Sequence, residues 1–387
     1  KPVLYVGGGV IFSGASQELM ELAELTHMPV DMTLMGLGAF PGEHPQSMGM
    51  LGMHGTYWAN MVMHYSDLVV AIGARFDDRV TGKVSEFCPH AKVIHIDIDP
   101  TSIRKNVNVD IPIVGDCKMV LRELIQILRA TVNGDQRELR KPWWDQIREW
   151  QQANPLAYQQ EADGPIKPQH VIQRLYELTK DRDPIVSTDV GQHQMWAAQY
   201  FKLAKPNRWL TSGGLGTMGF GFPAAMGAQA AFPGRLVLCI AGDGSIQMNM
   251  QEMATAVVHK LPVKIIILNN RFHGMVRQWQ DLFYEGRYAS SDLETTPDFV
   301  KLAEAYGAVG LRASKPSEID AVLKEAIAVN KPVIVDVPTY RYENVYPMIP
   351  AGGCNHEMIL EDPPALRNKQ SGAGQVAPKD SDTILTA

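Results

Sequence analysis

A single carboxylate, Asp243, stands between two glycines in the sequence GDGS, directly after an apolar run. The next apolar run ends in the pair Asn269 and Asn270, so one strand-helix-strand unit separates Asp243 from Asn270. Because neighbouring parallel strands end at the same edge of a sheet, this spacing brings an acid and an amide together. Carboxylate, amide and main-chain oxygens, together with phosphates, are the ligands that Mg²⁺ prefers. The pair therefore predicts a site for magnesium and a diphosphate.

Glycines around this pair favour the same chemistry. Those on both sides of Asp243 let the main chain approach a diphosphate, and the helix predicted after Ser245 has an N-terminus that attracts anions. A glycine-rich stretch at 213–231 is hard to explain as core, since glycine costs up to about 1 kcal/mol inside a helix. GDGS alone is more often a structural turn. A third polar strand end, DVGQHQMW, follows at 189–196.

The elements that would position these groups form a repeating pattern. Short apolar runs alternate with helix-period segments along residues 1–132, and the pattern returns along 169–366. Such alternation predicts parallel strands connected by helices. The polar residues 133–168 predict a partly helical linker, and the Gly- and Ser-rich residues 367–387 predict a disordered tail. We therefore expect an α/β chain with two doubly wound, mostly parallel-sheet domains.

Composition argues against several classes of protein. The 387 residues carry a net charge of −6 without a Lys/Arg block, so we expect neither nucleic acid nor an anionic membrane as partner. Cys88, Cys117, Cys239 and Cys354 are far apart, which predicts reduced packing thiols rather than a zinc cluster or disulfides. No apolar run reaches the roughly 18 residues of a spanning helix, and no secretory signal is visible. We expect a cytoplasmic bacterial protein or one of an organellar stroma.

The segment GDGSIQMNMQEMATAVVHKLPVKIIILNN resembles the cofactor motif of thiamin-diphosphate enzymes. The resemblance implies that Asp243, Asn270 and the Phe272 carbonyl bind Mg²⁺. It also implies that Met218 holds the cofactor in a V shape, which brings its aminopyrimidine near the reacting carbon. A methionine considered alone is more often a core residue. The implied thiamin-diphosphate residues are Gln192, His193, Gly216, Met218, Gly242, Asp243, Gly244, Ser245, Asn270, Phe272, Gly274 and Met275.

Up to about residue 365 the chain is similar to the catalytic subunit of acetohydroxyacid synthase, also called acetolactate synthase. The similarity rests on MGLGAFPG, LGMHGT, GARFDDRVTGK, HIDID, VGQHQMWAAQ, NNRFHGMVRQWQDLFYEGRY and PMIPAGG. It implies the decarboxylating condensation of two 2-keto acids, the first common step of branched-chain amino-acid biosynthesis. Two pyruvates give 2-acetolactate, and pyruvate plus 2-ketobutyrate gives 2-aceto-2-hydroxybutyrate. The implied catalytic residues are Met218, Gln192 and Trp279, with Trp279 walling the pocket and favouring 2-ketobutyrate; alone, it would more often be a packed aromatic.

The same resemblance implies FAD in the first domain, with a structural more than a redox role. The residues alone say little, because Phe12 replaces the third glycine of a dinucleotide fingerprint in GGGVIF, and Asp31 favours NAD only weakly. Arg75, Asp77 and Arg79 suit phosphate and ribose contacts at a predicted strand end, although such clusters are more often solvated loops. The implied FAD residues are Gly7, Gly8, Gly9, Thr33, Leu34, Met53, His54, Gly73, Arg75, Asp77, Arg79, Asp97, Ile98, Gly115 and Asp116.

The resemblance also implies an assembly. Family members begin with a further domain whose glutamate protonates the aminopyrimidine, and no carboxylate of this chain matches it, so we expect the 387 residues alone to be inactive or nearly so. A homodimer or homotetramer with the active site at the subunit interface is implied, and a small regulatory subunit stays open. Two alternatives also stay open. One is another flavin-containing thiamin-diphosphate enzyme, of the pyruvate oxidase or glyoxylate carboligase type, which Trp279 and GARFDDRVTGK disfavour. The other is a non-catalytic cofactor-binding module, which the Asp243/Asn270 pair disfavours.

Overall fold

The computed structural model describes residues 1–364 and residue 366, so the predicted tail at 367–387 lies outside the described residues. Within the described part, the chain forms two six-stranded sheets in which every strand pair is parallel. Leu4 and Val6 pack into one apolar cluster and Val3 and Tyr5 into another, so both faces of the first sheet are covered. The predicted α/β fold with two doubly wound parallel sheets is confirmed. No helix in this part of the chain is long and apolar enough to cross a membrane.

The first sheet occupies the N-terminal third of the chain. Its strands are β1 (Pro2–Val6), β2 (Val30–Met32), β3 (Ser47–Met50), β4 (Leu68–Ile72), β5 (Lys92–Asp97) and β6 (Ile111–Val114). Its helices are α1 (Gly8–Phe12), α2 (Ser16–Thr26), α3 (Tyr57–Tyr65), α4 (Asp78–Thr81) and α5 (Cys117–Thr131), with 3₁₀ turns at Leu34–Gly36 and Val84–Glu86. The strand order β3-β2-β1-β4-β5-β6 reverses between β1 and β4. Such a reversal is where open α/β sheets bind ligands.

Helix α6 (Gln136–Ala153) takes up half of the predicted linker and packs against the first sheet. The Asp135 carboxylate caps its N-terminus by accepting from the Arg137 main-chain N–H. Trp143 and Trp144 are buried, and their indole N–H groups donate to main-chain carbonyls of the first domain at 3.2 and 3.0 Å. Together with Ile147 they join the apolar cluster beneath β1. This helix is therefore part of the packing of the first sheet.

The second sheet has the same architecture. Its strands are β7 (Ile185–Thr188), β8 (Trp209–Leu210), β9 (Val237–Gly242), β10 (Lys264–Asn269), β11 (Val309–Arg312) and β12 (Val333–Pro338). Its helices are α7 (Pro168–Thr179), α8 (Gln192–Tyr200), α9 (Gly221–Ala231), α10 (Asp243–Ile246), α11 (Met253–Val258), α12 (Gly274–Phe283), α13 (Phe299–Ala305) and α14 (Ile319–Ala328), with 3₁₀ turns at Lys180–Arg182, Met250–Glu252 and Pro316–Glu318. The order β11-β12-β10-β9-β7-β8 reverses between β7 and β9.

Strands β9 and β10 lie in the middle of the second sheet and are buried along their whole length. Their nearly continuous apolar sequences, VLCIAG and KIIILN, are typical of parallel strands covered on both faces. The exception, Lys264, is buried because its ammonium donates to the carbonyls of Val329 and Lys331, beyond the C-terminus of α14. The register places Leu268 opposite Gly242, so both strands end at the same edge.

Residues 345–358, called the return segment, connect the second domain back to the first. The Ile349 N–H donates to the Met53 carbonyl at 2.8 Å, and the Lys83 N–H donates to the Gly353 carbonyl at 3.0 Å. Val345, Met348 and Ile349 of this segment are buried. The return segment therefore fixes the two domains against each other beside their strand ends.

The carboxylate of Asp183 pairs with three basic side chains at the edge of the second sheet where β7 begins. Its carboxylate accepts two hydrogen bonds from Arg208, at 2.9 and 3.0 Å, and one from Arg235 at 2.7 Å, with Lys205 at 3.5 Å. The Arg208 guanidinium, followed by Arg235, holds the pKa of Asp183 well below its usual value. Asp183 has a left-handed φ of 47°, a conformation that asparagine also tolerates. An asparagine therefore tests the charge without straining the main chain.

Asp183→Asn should lower the free energy of unfolding at pH 7 by about 1 kcal/mol, since the carboxylate is partly exposed and screened. A lowered folded-state pKa stabilises the fold above the unfolded value near 4, and this stabilisation disappears as the pH falls further. Urea denaturation should thus show a larger difference between variant and parent at pH 7 than at pH 3, because pH 3 lies below the unfolded pKa but above the lowered folded pKa. The exposed Asp181→Asn serves as control, and a pH-independent loss in Asp183→Asn would contradict the ion-pair explanation.

Candidate functional site

A cavity of about 1320 Å³ lies at the carboxyl ends of both sheets and is lined by residues of both domains. It exceeds the 300–1,000 Å³ of ordinary small-molecule sites, so it has room for more than one ligand. All twelve residues predicted to bind thiamin diphosphate line this cavity, and so does Trp279. The residues predicted to bind FAD line it as well, except Gly115. Gly115 lies one residue before Asp116 of the cavity wall, and its N–H donates to the Asp97 carbonyl at 3.0 Å, so its contact with FAD stays a prediction.

Asp243 is the first residue of α10 and follows β9 without a break, so the helix begins at this carboxylate rather than after Ser245. Its side chain is buried, and its Oδ2 atom has no hydrogen-bond partner among the residues that the structure describes. Burial raises the pKa of Asp243 to about 7. Main-chain N–H groups, including those of Gly244 and Arg271, act in the opposite direction because they stabilise the charged form. A buried carboxylate oxygen without a partner is costly, and a cation beside it removes that cost.

Asn270 follows the neighbouring strand β10 and presents a defined amide. Its Oδ1 atom accepts from the Phe272 N–H at 3.0 Å, and its Nδ2 atom donates to Gln192 Oε1 at 3.1 Å. A carbonyl-type oxygen has two lone pairs, so Oδ1 retains one for a further ligand. No group of three His, Cys, Asp or Glu side chains suited to a metal occurs within the described ranges. The donor set of a carboxylate, an amide oxygen and a carbonyl suits Mg²⁺, which keeps other positions for phosphate and water.

Two imidazoles pack against the GDGS loop, residues 242–245, and give its glycines a packing role. A Cβ atom on Gly242 would lie 2.8 Å from His193 Nδ1, and one on Gly244 would lie 2.7 Å from His273 Nδ1. A side chain at either position would therefore have to displace the neighbouring ring, whatever the main chain binds. Burial lowers the pKa of His193 to about 3, so the ring is neutral, and its Nε2 atom has no partner in the described part of the chain.

Gln192 lies at the N-terminus of α8 and lines the cavity, but its side-chain amide is occupied by protein groups. Nε2 donates to Gln278 Oε1 at 2.9 Å and to the Glu343 carbonyl at 3.1 Å, while Oε1 accepts from Asn270. A side-chain contact from Gln192 to a diphosphate would require one of these bonds to break. The geometry therefore suits Gln192 to supporting Asn270.

The loop that carries Met218 is fixed at the next residue. The Gly219 N–H donates to Asp189 Oδ1 at 2.8 Å, and its carbonyl accepts from Asn249 Nδ2 at 2.6 Å. Gly219 has a φ of 92°, which favours glycine. Met218 itself is half-buried in the cavity wall. Trp279, on α12, lines the same cavity and packs edge-on against Phe283 with ring centroids 5.3 Å apart.

In the first domain, the glycines near the switch point serve packing. A Cβ atom on Gly7 would lie 2.1 Å from the Gly73 carbonyl oxygen, and one on Gly9 would lie 2.7 Å from Gly73 Cα. These glycines let α1 begin directly against the end of β4. Asp31 is fully buried in β2 and is absent from the cavity wall, so it cannot contact a ribose there and the weak alternative of NAD loses its acidic residue.

Charged groups of the first domain surround the other half of the cavity. Arg75 pairs with Asp77 at 3.0 Å, and the guanidinium of Arg79 lies 2.8 Å from a neighbouring carboxylate; both arginines are exposed enough to turn toward a ligand. Asp116 caps α5 by accepting from the N–H groups of Lys118 and Met119. The Asp116 carboxylate is thus committed to the helix.

Comparison with known families agrees with this geometry. Residues 1–124 match the central domain of thiamine pyrophosphate enzymes, and residues 189–337 match the C-terminal TPP-binding domain of these enzymes. The chain belongs to the thiamine pyrophosphate enzyme family. Asp243, Asn270 and Met218 all lie within the matched C-terminal domain.

Individual members of the thiamine pyrophosphate enzyme family match almost the whole chain. The chain is 52% identical over 363 residues to the acetolactate synthase isozyme 3 large subunit of Escherichia coli, covering 93% of this chain and 63% of that protein. It is 50% identical over 364 residues to the acetolactate synthase large subunit of Haemophilus influenzae, with 94% and 63% covered. It is 51% identical over 363 residues to the acetolactate synthase of Mycobacterium bovis, with 92% and 58% covered. The chain thus spans about three fifths of the length of these relatives.

Several residues of this candidate site could not be singled out from the motif alone. His273 and Gln278 stand directly beside predicted residues, so proximity in the sequence could have found them. Asp189 and Asn249 lie three and four positions from the nearest predicted residue, and only the fold shows that both bind Gly219 in the loop of Met218.

Asp243→Asn should make the metal-free protein more stable, because it replaces a buried, partly unpaired carboxylate by a neutral amide. At pH 8 in a chelator, we expect the free energy of unfolding to rise by about 1–3 kcal/mol. The same variant should lose the stabilisation that Mg²⁺ and thiamin diphosphate together give the parent protein. Thermal denaturation with and without both ligands measures the two effects. A variant that is less stable without metal, or that keeps the ligand-dependent gain, would contradict this role of Asp243.

Proposed function

We propose that the chain forms the two cofactor-binding domains of an acetolactate synthase catalytic subunit, which joins two 2-keto acids with loss of CO₂. The observation that carries the proposal is the buried, partly unpaired Asp243 next to the Asn270 strand end, within a family-matched domain. Relatives at about 50% identity are named acetolactate synthase, which supports this activity among those of the family. The proposed substrates are pyruvate and, as second substrate, pyruvate or 2-ketobutyrate.

In the proposed metal site, Asp243 and Asn270 give side-chain oxygens and Phe272 gives its carbonyl. The neutral ring of His193, at the start of α8, faces the end of β9 beside this site and suits a diphosphate contact. When bound, thiamin diphosphate supplies the nucleophilic carbon and the electron sink for decarboxylation. Met218 would support the cofactor from its loop, which the hydrogen bonds of Gly219 hold in place. The apolar wall formed by Trp279 excludes water and selects the second keto acid.

We assign FAD to the first-domain half of the cavity. Phe12 and Ile98 line it and are largely exposed, at 86% and 69%, so a planar apolar ligand would cover them. Arg75 and Arg79 lie at the strand ends beside the switch point, where a diphosphate is expected. We propose that this flavin stabilises the cavity more than it reacts.

We further propose that the cavity is completed by a second copy of the subunit and that a small regulatory subunit binds elsewhere. Leu215 and Val276, at the second-domain rim, are 95% and 51% exposed, which fits apolar surface that an assembly covers. The E. coli and H. influenzae relatives are named large subunits, and this supports a smaller partner.

The test of this function is product analysis of the full-length protein with pyruvate as the only substrate. We expect 2-acetolactate formation that requires Mg²⁺ and thiamin diphosphate, together with a flavin absorbance band near 450 nm, roughly, that belongs to the cofactor. Oxygen consumption without acetolactate would instead favour an enzyme of the pyruvate oxidase type. Cofactor binding without turnover would favour the non-catalytic module.

Trp279→Leu should reduce the preference for 2-ketobutyrate over pyruvate by about tenfold or more, because one methylene against an apolar wall is worth about 1–3 kcal/mol. The rate of 2-acetolactate formation from pyruvate should largely survive. Competition between the two keto acids, followed by product analysis, measures the ratio in the full-length protein. Trp150→Leu removes an indole from α6, outside the cavity wall, and is the control. An unchanged product ratio in Trp279→Leu would contradict the specificity role.

A further inference from the structure

Two buried glutamines connect Asn270 to the segment that follows the second sheet. Gln192 Oε1 accepts from Asn270 Nδ2, and Gln192 Nε2 donates to Gln278 Oε1 and to the Glu343 carbonyl. Gln278 Nε2 donates to the Val345 carbonyl at 3.0 Å, while the Val345 N–H donates to Gln278 Oε1 at 2.8 Å. Both glutamine side chains are fully enclosed, at 3% and 0% exposure.

The main chain of Val345, at the end of this chain of amides away from Asn270, decides which way each amide is oriented. A main-chain N–H only donates and a carbonyl only accepts, so Val345 permits Gln278 one orientation, with Oε1 toward Gln192. Gln192 must then direct its Nε2 atom to Gln278 and its Oε1 atom to Asn270. Asn270 can meet that oxygen only with its nitrogen. Its own oxygen is therefore left on the side of the Phe272 N–H, in the loop proposed to bind the metal.

We propose that Gln278, acting through Gln192, is a positioning residue that fixes which end of the Asn270 amide faces the metal. An asparagine amide has nearly the same shape in two orientations that differ by exchange of oxygen and nitrogen, so only its hydrogen-bond partners, here the Phe272 N–H and Gln192 Oε1, distinguish them. The flipped orientation presents a hydrogen-bond donor where Mg²⁺ requires an oxygen. The glutamine pair and the Phe272 N–H together exclude that orientation, and this role rests on the magnesium site of the proposed function.

The amides of Asn270, Gln192 and Gln278 form a relay, and a buried ion pair holds the Glu343 carbonyl, the second group that accepts from Gln192 Nε2. The guanidinium of Arg277 is fully buried between the Asp281 carboxylate, at 2.5 Å, and the Glu343 carbonyl, at 2.6 Å. That same carbonyl accepts from Gln192 Nε2. Arg277 also packs against the ring of Phe272, with 5.6 Å from the guanidinium carbon to the ring centroid. Side chains of one helix, α12, thus hold both the amide relay and the residue whose carbonyl is a proposed ligand.

The variant Gln278→Met keeps the length of the side chain and removes its polarity. Groups that orient metal ligands are typically worth 10- to 100-fold in metal affinity, so we expect the Kd for Mg²⁺ to rise at least about tenfold. Gln278→Glu keeps an acceptor toward Gln192 and should hold the Kd within about threefold of the parent value. The matched control is Gln229→Met, which removes another buried glutamine of the same domain, bonded to three main-chain carbonyls away from the cavity.

The measurement is calorimetric titration of Mg²⁺ into the full-length protein at saturating thiamin diphosphate, with the melting temperature recorded for each variant. A rise in Kd for Gln278→Met, but not for an equally destabilised Gln229→Met, supports the proposal. An Mg²⁺ Kd within twofold of the parent in Gln278→Met overturns it. If that variant does not fold, Gln192→Met interrupts the same relay and is judged by the same criterion. Absence of Mg²⁺ binding in the parent protein would overturn the proposed function itself, which separates the two failures.

Discussion

The structure depends on one unfavourable interaction, the burial of a carboxylate at the end of a central strand without enough partners. Strands β9 and β10 are largely apolar and are covered on both faces of the sheet. Asp243 follows β9 directly, so it is buried at the end of this central strand. Three main-chain N–H groups stabilise part of its charge, and its Oδ2 atom is left without a hydrogen-bond partner among the described residues. Such a group weakens the fold unless a cation is present. The neighbouring strand β10 ends at the same edge, where it places the amide oxygen of Asn270, the second oxygen ligand of the proposed metal site.

Much of this arrangement follows from sequence pattern. The alternation of apolar runs and helical segments predicts both sheets, and the spacing from Asp243 to Asn270 predicts neighbouring strand ends. Strands β2 and β3 are not evident in the sequence because they have three and four residues, and β2 contains Asp31, a residue rare in strands. The length of helix α6 and its packing on the first sheet are not evident in its polar sequence, because only the face with Trp143, Trp144 and Ile147 is buried.

The details of the site depend on contacts between distant residues, which a sequence does not display. Gln192 and Gln278 are 86 positions apart, and their hydrogen bond exists because α8 and α12 both begin at the cavity. The flanking glycines of Asp243 are a similar case. Their motif indicates a ligand, yet the structure shows that the imidazoles of His193 and His273, at the starts of α8 and α12, already occupy the space a side chain would need. A residue type can thus be predicted correctly while its physical reason is incomplete.

The return segment limits how freely the two halves of the chain could be exchanged during evolution. Its main chain completes hydrogen bonds of the first domain at Met53 and Lys83, although it belongs to the polypeptide beyond the second sheet. A hybrid protein that combined either half with a foreign counterpart would need matching loops on both sides of the contact between the return segment and the first domain. Exchange of one half for a foreign counterpart would therefore require coordinated replacement of the return segment and of the two first-domain stretches that contain Met53 and Lys83.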